Sequence, residues 1–252
     1  MSNCATHLVP ADPSVKLTPQ MCPQTEEEKQ SMKAVPFMEC IGSVMHLTHL
    51  TRPDIAYAVG QVSRYSQNPG QEHWKDLKRI MAYLRKTMNF GLLFGGTSGD
   101  LIGYCDADYA GDLGNRRSTS GAVFTLHNGP ISWFSRRQSC VALSTTEFIS
   151  AAEATKEAIW LNRILTELGV GELPVTLKCD NQGAIALIHD PVFHQRTKHI
   201  DVRFFFVRDA QAERKVNISY IETENQLADI FTKALATPRF EKLRTSLNIC
   251  KL

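Results

Sequence analysis

Leu101-Ile102-Gly103-Tyr104-Cys105-Asp106 is an apolar run closed by a carboxylate, and its reading decides the fold. Such a run after a glycine-rich stretch predicts a strand, with Asp106 at its end. Val175-Thr176-Leu177-Lys178-Cys179-Asp180 repeats the arrangement, a second strand ended by a second carboxylate. Glu147 falls in the first turn of a predicted long helix, and Asp229 in a predicted final helix around Gln226-Leu227-Ala228-Asp229-Ile230-Phe231. Two carboxylates ending neighbouring strands, joined by two from flanking helices, can converge on one point at a sheet edge. Like charges so crowded need divalent cations to neutralise them. Oxygen-only ligands favour magnesium or manganese, and a paired-metal carboxylate site is the usual machinery for cleaving a phosphodiester. The expectation is therefore a site for two Mg2+ ions, with Mn2+ as a substitute, held by Asp106, Glu147, Asp180 and Asp229.

Composition sets the bounds. The chain has 252 residues, 43% hydrophobic and 21% charged, an ordinary globular balance with room for one large domain or two smaller ones. A net charge of +2 does not by itself mark a nucleic-acid binder, so any basic surface must be local. No apolar run approaches membrane-spanning length and no signal region opens the chain. The seven cysteines form no C-x-x-C pair, and Cys105 and Cys179 lie within predicted central strands. Buried, reduced thiols of this kind predict a cytoplasmic or nuclear setting rather than secretion.

Four stretches are expected. Residues 1–33, polar and carrying Pro10, Pro13, Pro19 and Pro23, predict an extended lead-in. Residues 34–98 predict three helices, over 37–48, 55–66 and 72–87, each with an apolar stripe. Thr51-Arg52-Pro53-Asp54 breaks the first from the second. Residues 99–240 switch to strands at 101–105, 120–126 and 131–135, then a helix at 145–168, a strand at 175–179, helices at 181–189 and 197–214, a strand at 216–221 and a helix at 225–236. His127-Asn128-Gly129 predicts a hairpin turn. Residues 241–252 are expected as a tail. The sum is an α/β fold, a mixed five-stranded sheet with flanking helices, preceded by a small helical segment.

The blocks that carry the chemistry resemble a known family. Tyr104-Cys105-Asp106-Ala107-Asp108-Tyr109-Ala110-Gly111-Asp112, Arg116-Arg117-Ser118-Thr119-Ser120-Gly121, Leu143-Ser144-Thr145-Thr146-Glu147, Cys179-Asp180-Asn181-Gln182-Gly183-Ala184, Arg196-Thr197-Lys198-His199-Ile200-Asp201 and Leu227-Ala228-Asp229-Ile230-Phe231-Thr232-Lys233 resemble, in order, the ribonuclease H domain of copia-type LTR retrotransposon Pol polyproteins. Upstream, Thr51-Arg52-Pro53-Asp54-Ile55-Ala56-Tyr57-Ala58-Val59 and His73-Trp74-Lys75-Asp76-Leu77 are similar to the end of the reverse transcriptase of the same polyproteins. The resemblance implies a ribonuclease H-like fold and hydrolysis of the RNA strand of an RNA–DNA hybrid. It places the four metal ligands on Asp106, Glu147, Asp180 and Asp229, with Asp108 as a neighbour. The family reads serine-threonine-threonine-glutamate-alanine-glutamate-tyrosine where this chain reads Ser144-Thr145-Thr146-Glu147-Phe148, two residues shorter. Aligned from the helix side, Glu147 takes the ligand's place.

The resemblance also implies contacts with the hybrid. Gln182 stands where cellular ribonucleases H place a glutamine reaching the minor groove; the plainer reading is a polar first-turn residue. Arg116 and Arg117 are expected against the duplex backbone, as are Lys198 and His199 near a helix start, where phosphate is favoured; a solvated basic face would read the same way. Other Pol domains are implied partners, and a virus-like particle in the cytoplasm, or the nucleus, the setting. A competing reading is a catalytically inactive remnant that at most binds nucleic acid, suggested by the missing polymerase carboxylates and the two missing residues. An integrase of the same fold class would lack both Glu147 and Asp229.

Overall fold

The computed structural model describes residues 6–95, 99–141, 146–189 and 201–252, with Asp201 and Val202 described through their backbone alone. Among the described residues, four α-helices and a short strand come first, and a five-stranded sheet follows. Helix α1 (Glu26–Lys33) opens on a reciprocal cap in which Glu28 donates its N–H to the Thr25 hydroxyl and accepts the Thr25 N–H. Helix α2 (Phe37–Leu50) ends at Thr51, and a 3-10 turn at Pro53–Ile55 leads into α3 (Ala56–Ser63). Helix α4 (Gln71–Lys86) follows, then strand β1 (Phe90–Leu92).

Strands β2 (Ile102–Ala107), β3 (Thr119–Leu126) and β4 (Gly129–Arg137) form an antiparallel meander. His127 and Asn128 turn the β3–β4 hairpin with φ of 49° and 62°, the left-handed pair that a tight hairpin needs. Helix α5 (Thr146–Glu167) crosses to β5 (Val175–Cys179), which lies parallel to β2. Helices α6 (Gln182–His189) and α7 (Asp201–Ala212) precede β6 (Val216–Tyr220), parallel to β5. The sheet order is β4-β3-β2-β5-β6, so β2 and β5 stand side by side at its centre. The expected α/β architecture is present.

The two faces of this sheet are covered differently. Helix α5 packs on β2, β3 and β5 through Ala151, Ala152, Ala154 and Ala158, whose small side chains let the helix approach closely. The other face meets residues 227–231 and α3. Phe231 and Thr232 press on Gly121 so closely that a Cβ there would lie 2.7 Å from each, which explains glycine at the middle of a strand.

Three expectations are corrected. The final helix predicted over 225–236 is instead two 3-10 turns, Thr223–Asn225 and Leu227–Phe231. Gln226 explains the break: its amide donates to the Cys105 carbonyl at 3.0 Å and accepts the Ala228 N–H at 3.2 Å, tying the backbone to β2. The expected tail is helix α8 (Thr237–Ser246), started by Pro238, and strand β7 (Ile249–Lys251), antiparallel to β1. Phe240, Leu243, Leu247 and Ile249 complete a core shared with Phe37, Ile55, Leu77 and Ile80. The lead-in is not simply extended either, since α1 lies within it and Val9 and Leu17 are buried in that same core.

Candidate metal centre

The site stands at the carboxyl ends of the two central parallel strands. Asp106 is the fifth residue of β2 and only 2% exposed, and Asp180 follows directly on β5. Asp229 lies in the second 3-10 turn, held over the sheet by the Gln226 bridge. Carboxylate oxygens of Asp106, Asp180 and Asp229 all lie within 4.8 Å of one another. A second triad, with ligand atoms equally close, joins Asp180 to Glu147 and the Cys179 sulfur. All four expected carboxylates therefore meet around Asp180.

Glu147 lies beside Asp180 and Cys179 although the segment before it is two residues shorter than the resemblance leads one to expect. Its Oε2 accepts the Ala107 N–H at 3.1 Å, and Ser150, one turn further along α5, donates to the Asp106 carbonyl at 2.6 Å. These two bonds lock the first turn of α5 to the end of β2. Asp108 turns away to accept the Thr119 N–H and lines a cavity of about 260 Å³ with Tyr57, Asp76 and Lys233.

Electrostatics mark the crowding. Burial pushes Asp106 up to about 6, with Asp229 and Asp180 adding to the shift and Lys233 and the Thr232 hydroxyl opposing it. Burial likewise drives Glu147 up to about 9, reinforced by Asp106, Cys179 and Asp180. Burial raises Asp108 to about 6 against the Thr119 and Gly111 N–H groups. A carboxylate cluster that resists ionisation is one that a doubly charged cation would relieve.

Two cations already lean on the cluster. Lys233 Nζ lies 2.9 Å from Asp229 Oδ1 and 3.6 Å from Asp106 Oδ2. Burial opposes the Lys233 charge, yet Asp106 and Asp229 outweigh it and hold the ammonium above its usual range. Arg239 of α8 pairs with Asp229 Oδ2 at 2.9 Å and with Glu224 at 3.1 Å. The ammonium sits where a cation is wanted, and the all-oxygen set of Asp106, Asp180 and Asp229 fits Mg2+ or Mn2+. Sequence reading missed both partners. The four-residue spacing of Asp229 and Lys233 carried a signal; Arg239, brought by a separate helix, carried none.

The expected hybrid contacts divide. Gln182 is exposed at the first position of α6, two residues past Asp180. Arg116 is exposed and Arg117 half-buried in the loop between β2 and β3. That loop is held by Asp112, which accepts from Arg64 at 2.5 Å and Arg137 at 3.2 Å, so Arg116 and Arg117 are not spent on its anchor. Lys198 and His199 lie outside the described residues. Among the described residues, no helix is long and apolar enough to cross a membrane.

Three antiparallel strands, a crossing helix, and two further parallel strands with carboxylates at the central strand ends constitute the ribonuclease H-like fold. No protein-family model matches the chain. It is 46% identical over 243 residues to the retrovirus-related Pol polyprotein from transposon TNT 1-94 of Nicotiana tabacum, covering 96% of this chain and 18% of that protein. It is 38% identical over 216 residues to the Pol polyprotein from transposon RE2 of Arabidopsis thaliana, covering 84% of this chain and 15% of that protein. The chain belongs to the Pol polyproteins of copia-type retrotransposons and spans less than a fifth of the length of these curated relatives. Among solved structures it is similar to LC11-RNase H1 in complex with an RNA/DNA hybrid, at 16% identity and a TM-score of 0.42, covering 53% of this chain and 94% of that one.

Proposed function

We propose that this chain is the ribonuclease H of a retrotransposon, hydrolysing the RNA strand of RNA–DNA hybrids with two divalent cations, Mg2+ or Mn2+. The observation that carries the reading is the meeting of Asp106, Glu147, Asp180 and Asp229 around one point at the ends of β2 and β5. Asp106, Asp180 and Asp229 would hold one cation, and Glu147 and Asp180 would face the second. Bound there, the cations supply the positive charge that acidifies an attacking water and offsets charge on the leaving 3′ oxygen. The protein's own part is to hold the carboxylates in register: Ala107 N–H fixes Glu147, the Gln226 bridge fixes the turn bearing Asp229, and Arg239 fixes the Asp229 carboxylate. Lys233 offsets the repulsion among the carboxylates and would give up Asp106 to a bound cation. No side-chain nucleophile is required.

Gln182, two residues beyond Asp180, is assigned to the minor groove, where 2′-hydroxyls distinguish RNA from DNA. Arg116 and Arg117, with Lys198 and His199, are assigned to the phosphate backbone. The rest of Pol is the natural partner of the helical segment, in a cytoplasmic virus-like particle or in the nucleus. We divide the chain into a lead-in, 1–33, a helical segment, 34–98, and a ribonuclease H-like domain from 99; Val123, Leu227, Ile230 and Phe231 of that domain share the core of the helical segment, which Phe240, Leu243 and Ile249 complete. The test is incubation of the purified chain with end-labelled hybrid, single-stranded RNA and duplex DNA, with Mg2+ or a chelator. Cleavage of the RNA in the hybrid alone, and only with the metal, is expected. Hybrid binding without cleavage in either metal would instead favour the inactive remnant.

A further inference from the structure

Cys105 and Cys179 each precede one of the strand-end aspartates, and nothing in the nuclease reading uses them. The parallel register of β2 and β5 pairs Gly103 with Leu177 and Tyr104 with Lys178, which brings the next residues, the two cysteines, side by side. Both are reduced and 1% exposed. The Cys105 thiol donates to the Lys178 carbonyl at 3.7 Å, and it is the Cys179 sulfur that faces the carboxylates. The same sulfur lies within 4.8 Å of carboxylate oxygens of both Glu147 and Asp180.

We infer that Cys179, Glu147 and Asp180 form a binding site for a thiophilic divalent cation such as Zn2+ or Cd2+, distinct in donor set from the all-oxygen triad beside it. One sulfur and two carboxylates leave a fourth tetrahedral position for water, a set that suits zinc and that magnesium does not favour. Binding displaces the Cys179 thiol proton to solvent, while the Cys105 thiol, bonded to the Lys178 carbonyl, stays outside the donor set. Asp180 belongs to both triads, so a thiophilic ion withdraws it from the oxygen site. Thiophilic cations therefore bind in competition with magnesium and would silence whatever chemistry the oxygen triad performs. The site stands on its own donors and does not depend on the nuclease reading.

Cd2+ alone is the probe, titrated into the reduced full chain without nucleic acid and followed by the ultraviolet sulfur-to-cadmium charge-transfer absorbance. The wild type and Cys140→Ser, which removes the exposed thiol, should both develop the band; Cys179→Ser should lose it. Cys105→Ser should keep it, since Cys105 is not among the donors. Glu147→Gln leaves every thiol in place and should weaken Cd2+ binding about ten-fold. Excess Mg2+ should raise the Cd2+ concentration needed for half-saturation. No band in the wild type, a band retained in Cys179→Ser, or unchanged affinity in Glu147→Gln would each overturn the inference. Because no step reads hydrolysis, failure here leaves the nuclease proposal untouched, and the reverse holds.

Discussion

Asp54 and Asp106 are equally buried, at 1% and 2% exposure, yet they live in opposite electrostatic surroundings. Asp54 is closed in by donors. Arg52 grips both its oxygens, at 3.0 Å from Nε and 2.8 Å from Nη2, and the Tyr83 hydroxyl donates to it at 2.5 Å. Arg52 continues to the Thr87 hydroxyl at 2.7 Å, and Arg244 of α8 donates to the Tyr83 oxygen at 3.3 Å. The network joins the turn after α2, the end of α4 and the returning α8, and Arg52 matches the Asp54 charge. Asp106 faces three other carboxylates, with Lys233 at 3.6 Å as its counter-ion. The first acid is satisfied by the fold, so its role is to hold the fold. The second is held by the fold among like charges, which the cations of the proposed reading would relieve.

Substitutions at the two acids should therefore fail in different ways. The largest effect is expected on chemistry: Asp106→Asn or Asp180→Asn should lower hybrid cleavage by well over about a hundred-fold, since even outer partners of metal ligands are worth about ten- to a hundred-fold. Both variants should stay folded, as judged by circular dichroism. Asp54→Ala should do the reverse, lowering unfolding free energy by about 3–5 kcal/mol in urea titrations, because Arg52 is left buried without its partner.

A smaller effect separates the two in pH. Asp106 is raised to about 6 by burial and like charge, so the folded state holds a proton that the unfolded chain has released. A raised acid contributes falling stability as pH climbs through this window. The metal-free wild type should match Asp106→Asn near pH 4 and fall behind it by about 3 kcal/mol once past pH 6. A gap that stays constant or reverses would remove Asp106 from a repulsive cluster. Least of all, Trp133→Phe should cost about 1 kcal/mol, because it removes the indole N–H that reaches the Thr48 carbonyl at 2.8 Å and couples β4 to α2. Its activity should survive.

The contrast was only half legible in the sequence. The strand-end carboxylates could be read because each closes a run with its own local signal, and β5 runs over Val175–Cys179 as the pattern predicts. Thr51-Arg52-Pro53-Asp54 could be read as a helix break, but not as an ion-pair network, because Tyr83, Thr87 and Arg244 arrive from distant positions. The same holds for β1 and β7, three-residue strands whose pairing of Phe90 with Lys251 leaves no periodicity to detect. Asp229 was expected on a helix because Leu227, Ile230 and Phe231 carry a helical spacing. A single side chain, Gln226 bonded to Cys105 across the sheet, overrode that local preference.

The central claim is that the cluster around Asp180 is a divalent-cation site built at a cost in metal-free stability. Thermal unfolding of the wild type and Asp106→Asn at neutral pH, each with a chelator and across a Mg2+ titration, tests it most directly. The account predicts that without metal the variant melts higher, that Mg2+ raises the wild-type midpoint progressively with occupancy, and that the variant barely responds. A wild type indifferent to Mg2+, or a variant that melts lower without metal and responds as fully, would contradict it.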